Sequence, residues 1–469
     1  MAGRLTLGEV IGILHPLGGG VRISTEQPIG AVTTDSREVE PGGVFVALAG
    51  ERVDGADFVE EAIRRGAQAV IVSEEGVWKV PPAILAGHPV FVVRSPVEAL
   101  GDLARAHRER FRHIPLVGIT GSSGKTTTKE LLAALLSRRR NVLGNPGNRN
   151  NLIGMPLALL GLSAAHDVAV LEMGTNQPGE IARLSAIAAP DVGVVTNITP
   201  AHLEGLRSLE GVAREKGDLY RSLPGSGTAV VNATDLRVMR EAGSCDAAKI
   251  HYGVSINEIS GRVLSMDDGG MRIAVRTPSG EFASSLPLTG EHNLMNALAA
   301  VAAAYALGLR PDDMEEGFRS LPPLRGRFRP VPLRGGGLLL DDSYNANPAS
   351  VEAALQNLAA LRRGRRCVVV LADMLELGEA SGTAHFRTGH LLAGVEPDLL
   401  FTCGTEAASI ARGAGAGGMD PGRIVHVGDR DALRLAVTGA LREGDVILIK
   451  GSRGMRLEEI AEAVEKEWA

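Results

Sequence analysis

Apolar runs of four or five residues recur along the chain, most followed by glycine or polar residues and then by a stretch with apolar positions at helical spacing. Val44-Phe45-Val46-Ala47-Leu48, Ala69-Val70-Ile71-Val72 and Val90-Phe91-Val92-Val93 predict strands, with helices over Phe58 to Arg65 and Pro96 to Arg110. Leu116-Val117-Gly118-Ile119, Val168-Ala169-Val170-Leu171 and Val192-Gly193-Val194-Val195-Thr196 predict buried strands of a second unit. Its helices fall over Lys125 to Leu136, Leu209 to Leu223 and the Ala-rich Leu294 to Leu307. Ile273-Ala274-Val275 followed by Thr277-Pro278-Ser279-Gly280 predicts one arm of a hairpin and its turn. A third unit holds strands at Leu338–Leu340, Cys367–Leu371, Leu399–Phe401, Arg423–Val427 and Val446–Ile449, separated by helical segments. Strands alternating with helices predict parallel α/β sheets. Pro115 and the run Leu321-Pro322-Pro323-Leu324-Arg325-Gly326-Arg327 are the natural joints, so the expected units are 1–111, 112–323 and 324–469.

Polar residues cluster where the predicted strands end, the edge at which open α/β sheets bind ligands. Thr120-Gly121-Ser122-Ser123-Gly124-Lys125-Thr126-Thr127 joins a strand to a helix. Its glycines let main-chain N–H groups turn inward, and the helix N-terminus adds partial positive charge. Lys125 can reach terminal phosphates, and Thr126 can offer a hydroxyl to magnesium. The general P-loop pattern places glycine where Ile119 stands, so the cradle is a variant of it. Glu172 ends the next strand, where it can hold or orient magnesium. His202 lies just beyond another, and a lone histidine there is a metal ligand or a structural residue. Thr34-Asp35-Ser36-Arg37 is a solvated loop or a polar-ligand site. Lys216 among Arg214, Glu215 and Asp218 is, on spacing alone, part of a solvated helical face. In the third unit Asp341–Asn347, Asp373 and Lys450–Arg453 share the strand-end position. No Gly-x-Gly-x-x-Gly follows its first strand, which disfavours a nicotinamide site.

Composition narrows the function classes. A net charge of -6 and 3% aromatic residues argue against a nucleic-acid partner, both as a basic footprint and as a stacking platform. Cys245, Cys367 and Cys403 are widely spaced and form no motif, so they are expected as small core residues in a reducing compartment. No apolar stretch is long enough to span a bilayer and no signal-like run opens the sequence, so a cytoplasmic protein without membrane insertion is expected.

The stretch Gly118-Ile119-Thr120-Gly121-Ser122-Ser123-Gly124-Lys125-Thr126-Thr127 resembles the nucleotide loop of the Mur ligases, the ATP-dependent amide-forming enzymes of peptidoglycan precursor synthesis. Gly147-Asn148-Arg149-Asn150-Asn151-Leu152-Ile153-Gly154, Glu172-Met173-Gly174-Thr175-Asn176-Gln177-Pro178-Gly179-Glu180, Ala201-His202-Leu203-Glu204-Gly205 and Asp342-Ser343-Tyr344-Asn345-Ala346-Asn347-Pro348 carry the resemblance along the whole chain. It implies the three-domain α/β Mur ligase architecture, with a central P-loop-type parallel sheet and a C-terminal Rossmann-like domain. The last motif points to the branch that adds D-Ala-D-Ala to UDP-N-acetylmuramoyl-tripeptide through an acyl phosphate. The Asp-Asn-Pro-Arg motif usual in the diaminopimelate-adding branch is not found.

By the same resemblance, residues 1–111 bind the UDP end of the substrate through Thr34, Asp35, Ser36 and Arg37. Asn148, Asn150, Asn151, Asn176 and Glu180 contact its sugar and peptide. Residues 112–323 hold ATP through Gly121 to Thr127, with Lys125, Glu172, His202 and Lys216 catalytic. Thr126, Glu172, His202 and a carbamylated Lys216 form the magnesium set. Asn293, Arg327 and the ribose-binding Asp342 complete the nucleotide site. Residues 324–469 bind D-Ala-D-Ala, with Tyr344, Asn345 and Asn347 on the substrate side. A monomer is expected. A nucleotide-dependent switch that hydrolyses ATP without ligation is the alternative of a different kind.

Overall fold

A computed structural model describes residues 4–17, 24–50, 53–255, 258–321, 324 and 326–469. The first sheet has four parallel strands in sequence order, Val32–Thr33, Val44–Val46, Ala69–Ser73 and Val90–Val93. The helix Pro96–Arg110 leaves it under a Ser95 cap, whose hydroxyl accepts from the Glu98 amide. That helix is mounted on the second unit by Arg108. Its fully buried guanidinium donates to the Ala188, Phe111 and Ile114 carbonyls and lies 3.3 Å from Asp191.

The second sheet has nine strands. Leu116–Thr120 sits inside it, between Val168–Glu172 and Val192–Val195 and parallel to both. Both neighbours are buried along their whole length, which is why they read as continuous apolar runs rather than alternating ones. Helices Lys125–Ser137 and Glu291–Ala306 cover one face. The unbroken run Ala297 to Ala304 is almost fully buried, and its small side chains let the two helices approach closely. Helices Glu180–Ala188 and Leu209–Arg221 cover the other face. The sheet is not parallel throughout. Gly270–Thr277 pairs antiparallel with both Ile259–Asp267 and Gly280–Leu286, and Thr277 opposes Gly280 across the two-residue turn expected at Pro278-Ser279.

The third sheet has six strands. Five are parallel, with Val446–Lys450 between Gly337–Asp342 and Cys367–Ala372. Arg329–Leu333 is added antiparallel at the edge. Pro322, Pro323 and Arg325 of the expected joint lie outside the described residues. Cys245, Cys367 and Cys403 are buried free thiols, and burial pushes Cys367 up to about 12. Among the described residues no helix is long and apolar enough to cross a membrane.

Candidate active site

The C-terminal edges of the second and third sheets face a common cleft of about 640 Å³. On the second-sheet side, Gly121 (φ +150) and Gly124 (φ +79) turn the loop after Leu116–Thr120 into helix Lys125–Ser137. The next strand's end holds the loop in shape. The Ser122 amide donates to the Asn197 carbonyl (3.0 Å), the Ser123 amide to Asn197 Oδ1 (3.0 Å), and Thr196 Oγ1 to the Ser123 carbonyl (2.6 Å). Lys125 Nζ donates to the Gly121 carbonyl at 2.8 Å, folding the side chain back over the cradle. Burial lowers its pKa and the Glu172 charge opposes that.

Glu172 is almost fully buried. It accepts from Thr126 Oγ1 at 2.7 Å and from Asn150 Nδ2 at 2.6 Å. Its main chain is clamped by Asn145, whose amide donates to the Glu172 carbonyl and accepts from its N–H, both at 2.9 Å. Lys129 Nζ in turn donates to the Asn145 carbonyl at 2.7 Å. A carboxylate and a hydroxyl fixed side by side at a phosphate loop are hard oxygen donors. They suit magnesium, which keeps waters and takes phosphate oxygens as its other ligands. Among the described residues no three His, Cys, Asp or Glu side chains are gathered into a metal-binding group.

His202 lies at the rim in a left-handed conformation (φ +52). Its Nδ1 is 2.7 Å from Oε2 of Glu376, a left-handed residue of the third unit (φ +65), and the imidazole holds that carboxyl below its usual range. Lys216 does not line the cleft. It is buried in helix Leu209–Arg221, makes no salt bridge among the described residues, and burial with the nearby Lys125 charge lowers its pKa far below the ordinary lysine value. Its neighbour Glu215 is committed to structure, accepting from the Gly179 and Ile181 amides.

Arg327, Asp342, Tyr344, Asn345 and Asn347 come from the third-unit side. Arg327 is stacked on Tyr344, its Cζ 3.6 Å from the ring centroid. Burial raises the Asp342 pKa, and Lys450 Nζ, donating to Asp342 Oδ2 at 2.7 Å, opposes that. Asn293 lines the cleft from helix Glu291–Ala306, and Asn296 Nδ2 donates to its Oδ1 at 3.1 Å.

Ser122 to Thr127, Asn148, Asn150, Asn151, Asn176 and Glu180 also border the cleft. Glu180 caps its own helix region, accepting from the Asn176 and Gln177 amides. Thr34, Asp35, Ser36 and Arg37 do not border it. They lie in the turn just after strand Val32–Thr33 of the first sheet, where Asp35 pairs with Arg37 at 2.6 Å and Ser36 donates to Glu61 at 2.8 Å. Sequence reasoning passed over Asn145, Asn296 and Glu376. Asn296 alone left a trace, a second asparagine three residues after Asn293 on one helix face.

Three family models match the chain in order: "Mur ligase family, catalytic domain" over residues 28–108, "Mur ligase middle domain" over 119–304, and "Mur ligase, glutamate ligase domain" over 326–453. The UDP-N-acetylmuramoyl-tripeptide–D-alanyl-D-alanine ligase of Escherichia coli (strain K12) is 36% identical over 469 residues, covering 98% of each chain. The crystal structure of MurF from Acinetobacter baumannii superposes with a TM-score of 0.85 at 30% identity, again over 98% of each chain. The MurF ligase of Thermotoga maritima in complex with ADP gives a TM-score of 0.80 at 31% identity, over 93% of this chain and 97% of its own.

Proposed function

The chain belongs to the Mur ligase family, and from that premise we propose that it joins D-Ala-D-Ala to UDP-N-acetylmuramoyl-tripeptide with ATP, giving the pentapeptide, ADP and phosphate. The observation that carries this reading is the shared cleft. A phosphate cradle with a fixed carboxylate–hydroxyl pair faces a third-sheet edge rich in polar strand-end residues.

The tripeptide's terminal carboxylate attacks the γ-phosphorus of ATP, forming an acyl phosphate and releasing ADP. The amine of D-Ala-D-Ala then attacks the acyl carbon, loses a proton, and phosphate leaves. Lys125 and the loop amides stabilise the charge on the transferred phosphoryl group. Bound magnesium would supply further charge neutralisation, and Thr126 and Glu172, with His202 at the rim, would hold it. Lys216 fits carbamylation chemically, because attack on carbon dioxide requires a neutral amine and burial favours that form. The modified side chain is an anion. Arg327, Asn293 and Asp342 are assigned to the nucleotide, and Asn148, Asn150, Asn151, Asn176 and Glu180 to the sugar and peptide. Thr34 to Arg37, in the turn after the first strand of the first sheet, are assigned to the UDP end, which suits a long substrate. The three units are assigned to nucleotide-sugar, ATP and dipeptide in chain order. Alignment of reactants in this way supplies roughly 7–11 kcal/mol of a barrier.

The test is phosphate release from ATP with UDP-N-acetylmuramoyl-tripeptide, with and without D-Ala-D-Ala, alongside product mass. Release that requires both, with pentapeptide formed, is the expected result. Release indifferent to the dipeptide refutes ligation and leaves an ATPase.

A further inference from the structure

We propose that Arg453 receives the C-terminal carboxylate of the incoming dipeptide; this rests on the ligase reading above. The dipeptide brings one amine, which reacts, two methyl groups, and one carboxylate, which does not react and must be neutralised once it leaves water.

Among the described residues, four side chains that carry a cationic group at neutral pH border the cleft: Lys125, Arg327, Lys450 and Arg453. Lys125 belongs to the phosphate cradle. Arg327 is buried against the face of Tyr344 and feels the Glu172 and Asp342 charges, on the nucleotide side. Lys450 is buried and already neutralised, donating to Asp342 at 2.7 Å and to the Asn345 carbonyl at 2.9 Å. Arg453 differs from all three in combining exposure to solvent with an ion pair on one side of its guanidinium, whereas Arg327, whose Nη2 also has no hydrogen-bond partner among the described residues, is buried. Its side chain is 49% exposed, and its Nη1 donates to Glu458 Oε1 at 2.9 Å. Nε and Nη2 make no hydrogen bond among the described residues, and Cζ lies 5.4 Å from the centroid of the Tyr344 ring. Those two N–H groups point the same way and form the edge of the guanidinium that binds a carboxylate through two parallel hydrogen bonds. Glu458 thus steadies one side of the fork and leaves the other for a ligand.

The surroundings fit the rest of the dipeptide. Arg453 follows strand Val446–Lys450, and its own amide donates to Asn345 Oδ1 at 3.3 Å. Asn345 follows strand Gly337–Asp342, the parallel neighbour in which Asp342 opposes Lys450, so both loops rise from one sheet edge. Beside them Leu375, 45% exposed, and Ala346 line the same cleft. An apolar wall next to a half-free guanidinium matches small methyl side chains next to a carboxylate.

The probe is D-alanyl-D-alaninamide, which keeps the amine and both methyls and lacks the carboxylate. The assay is dipeptide-dependent phosphate release by the full chain with ATP and UDP-N-acetylmuramoyl-tripeptide. Wild-type enzyme is expected to prefer the acid over the amide by about 10²-fold in kcat/KM, read as the worth of a charge-assisted bidentate contact. Arg453→Ala is expected to lose about that factor on the acid, almost nothing on the amide, and to keep its KM for ATP. Arg453→Lys, which keeps the charge but not the fork, is expected to fall between them. An unchanged thermal midpoint and ATP KM establish that each variant folds. An Arg453→Ala enzyme that discriminates as wild type does overturns the proposal alone. Wild-type enzyme with no dipeptide-dependent release overturns the ligase reading and the proposal with it.

Discussion

Gly121→Ala tests whether the phosphate cradle is set by backbone geometry. Gly121 has φ +150, a region almost closed to residues with a side chain. A Cβ there would stand 1.9 Å from Thr196 Oγ1 and 3.1 Å from Thr196 Cβ and N. The hydroxyl is the acute clash, and it is the same hydroxyl that donates to the Ser123 carbonyl at 2.6 Å. Either the loop moves by more than 1 Å or Thr196 rotates and the Ser123 bond is lost. The conformational strain is worth about 1–3 kcal/mol, and the lost bond about 1 kcal/mol. An empty loop can relax away from Thr196, but bound phosphate pulls it back, so the cost appears mainly in nucleotide affinity. A total of about 2–4 kcal/mol corresponds to a roughly 30- to 10³-fold rise in Kd for ADP, measured by titration calorimetry. Thr196→Ala in the same chain removes the 1.9 Å contact and leaves the 3.1 Å ones. The double variant should therefore bind ADP more tightly than Gly121→Ala alone, even though Thr196→Ala by itself weakens binding. Two results refute the reasoning: Gly121→Ala binding within about threefold of wild type, or additive losses in the double variant.

Lys125→Ala should lower kcat for phosphate release by at least about 10²-fold, the usual cost of removing one donor to developing charge; a normal turnover would remove Lys125 from the mechanism. His292 is held down to about 4, by burial first and by the Lys450 charge second. Its folded pKa is below its unfolded one, so the neutral ring's contribution is whole above about pH 6.5 and is lost as pH falls through about 4. The loss is of order 3 kcal/mol, and urea midpoints at pH 7.5 and 4.5 should differ less in His292→Gln than in wild type. Gly413→Ala places a Cβ 2.0 Å from the Phe386 carbonyl, where helices Ser381–Leu391 and Ala408–Ala416 cross at Gly389 and Gly413. Denaturant unfolding should report a loss of about 1–3 kcal/mol, with hydrogen exchange rising in those two helices first.

The phosphate cradle was legible because its determinants are contiguous: a buried strand, two glycines at fixed spacing and a helix carrying Lys125. The parallel third sheet was legible for a similar reason, since strands buried on both faces leave short apolar runs. Its antiparallel edge, Arg329–Leu333, was not. Pro330 and Pro332 argue against a strand by composition, yet at an edge only one side needs N–H donors. Strand Ile259–Asp267 was hidden because much of it faces solvent and shows no apolar alternation. Glu376 was invisible because nothing in its own neighbourhood marks it. It matters through His202, which lies more than 170 residues away in the chain. Lys216 was placed by resemblance alone, and what the fold adds is its burial, which spacing had assigned to solvent.

The chain crosses from the second unit to the third once, and Arg327 lies on that crossing, flanked by Gly326 (φ +68) and Phe328 (φ +56). A change in the angle between the two sheets must be absorbed along this segment, and it carries the Arg327 guanidinium with it. On the proposed function the connector therefore also carries a ligand contact. A ligand held by Arg327 would tie the crossing to the cleft, beside the His202–Glu376 and Arg365–Asp268 pairs that already join the two units. Insertions that lengthen this crossing would leave both sheets intact yet uncouple grip from posture, a failure that no substitution inside the cleft would mimic.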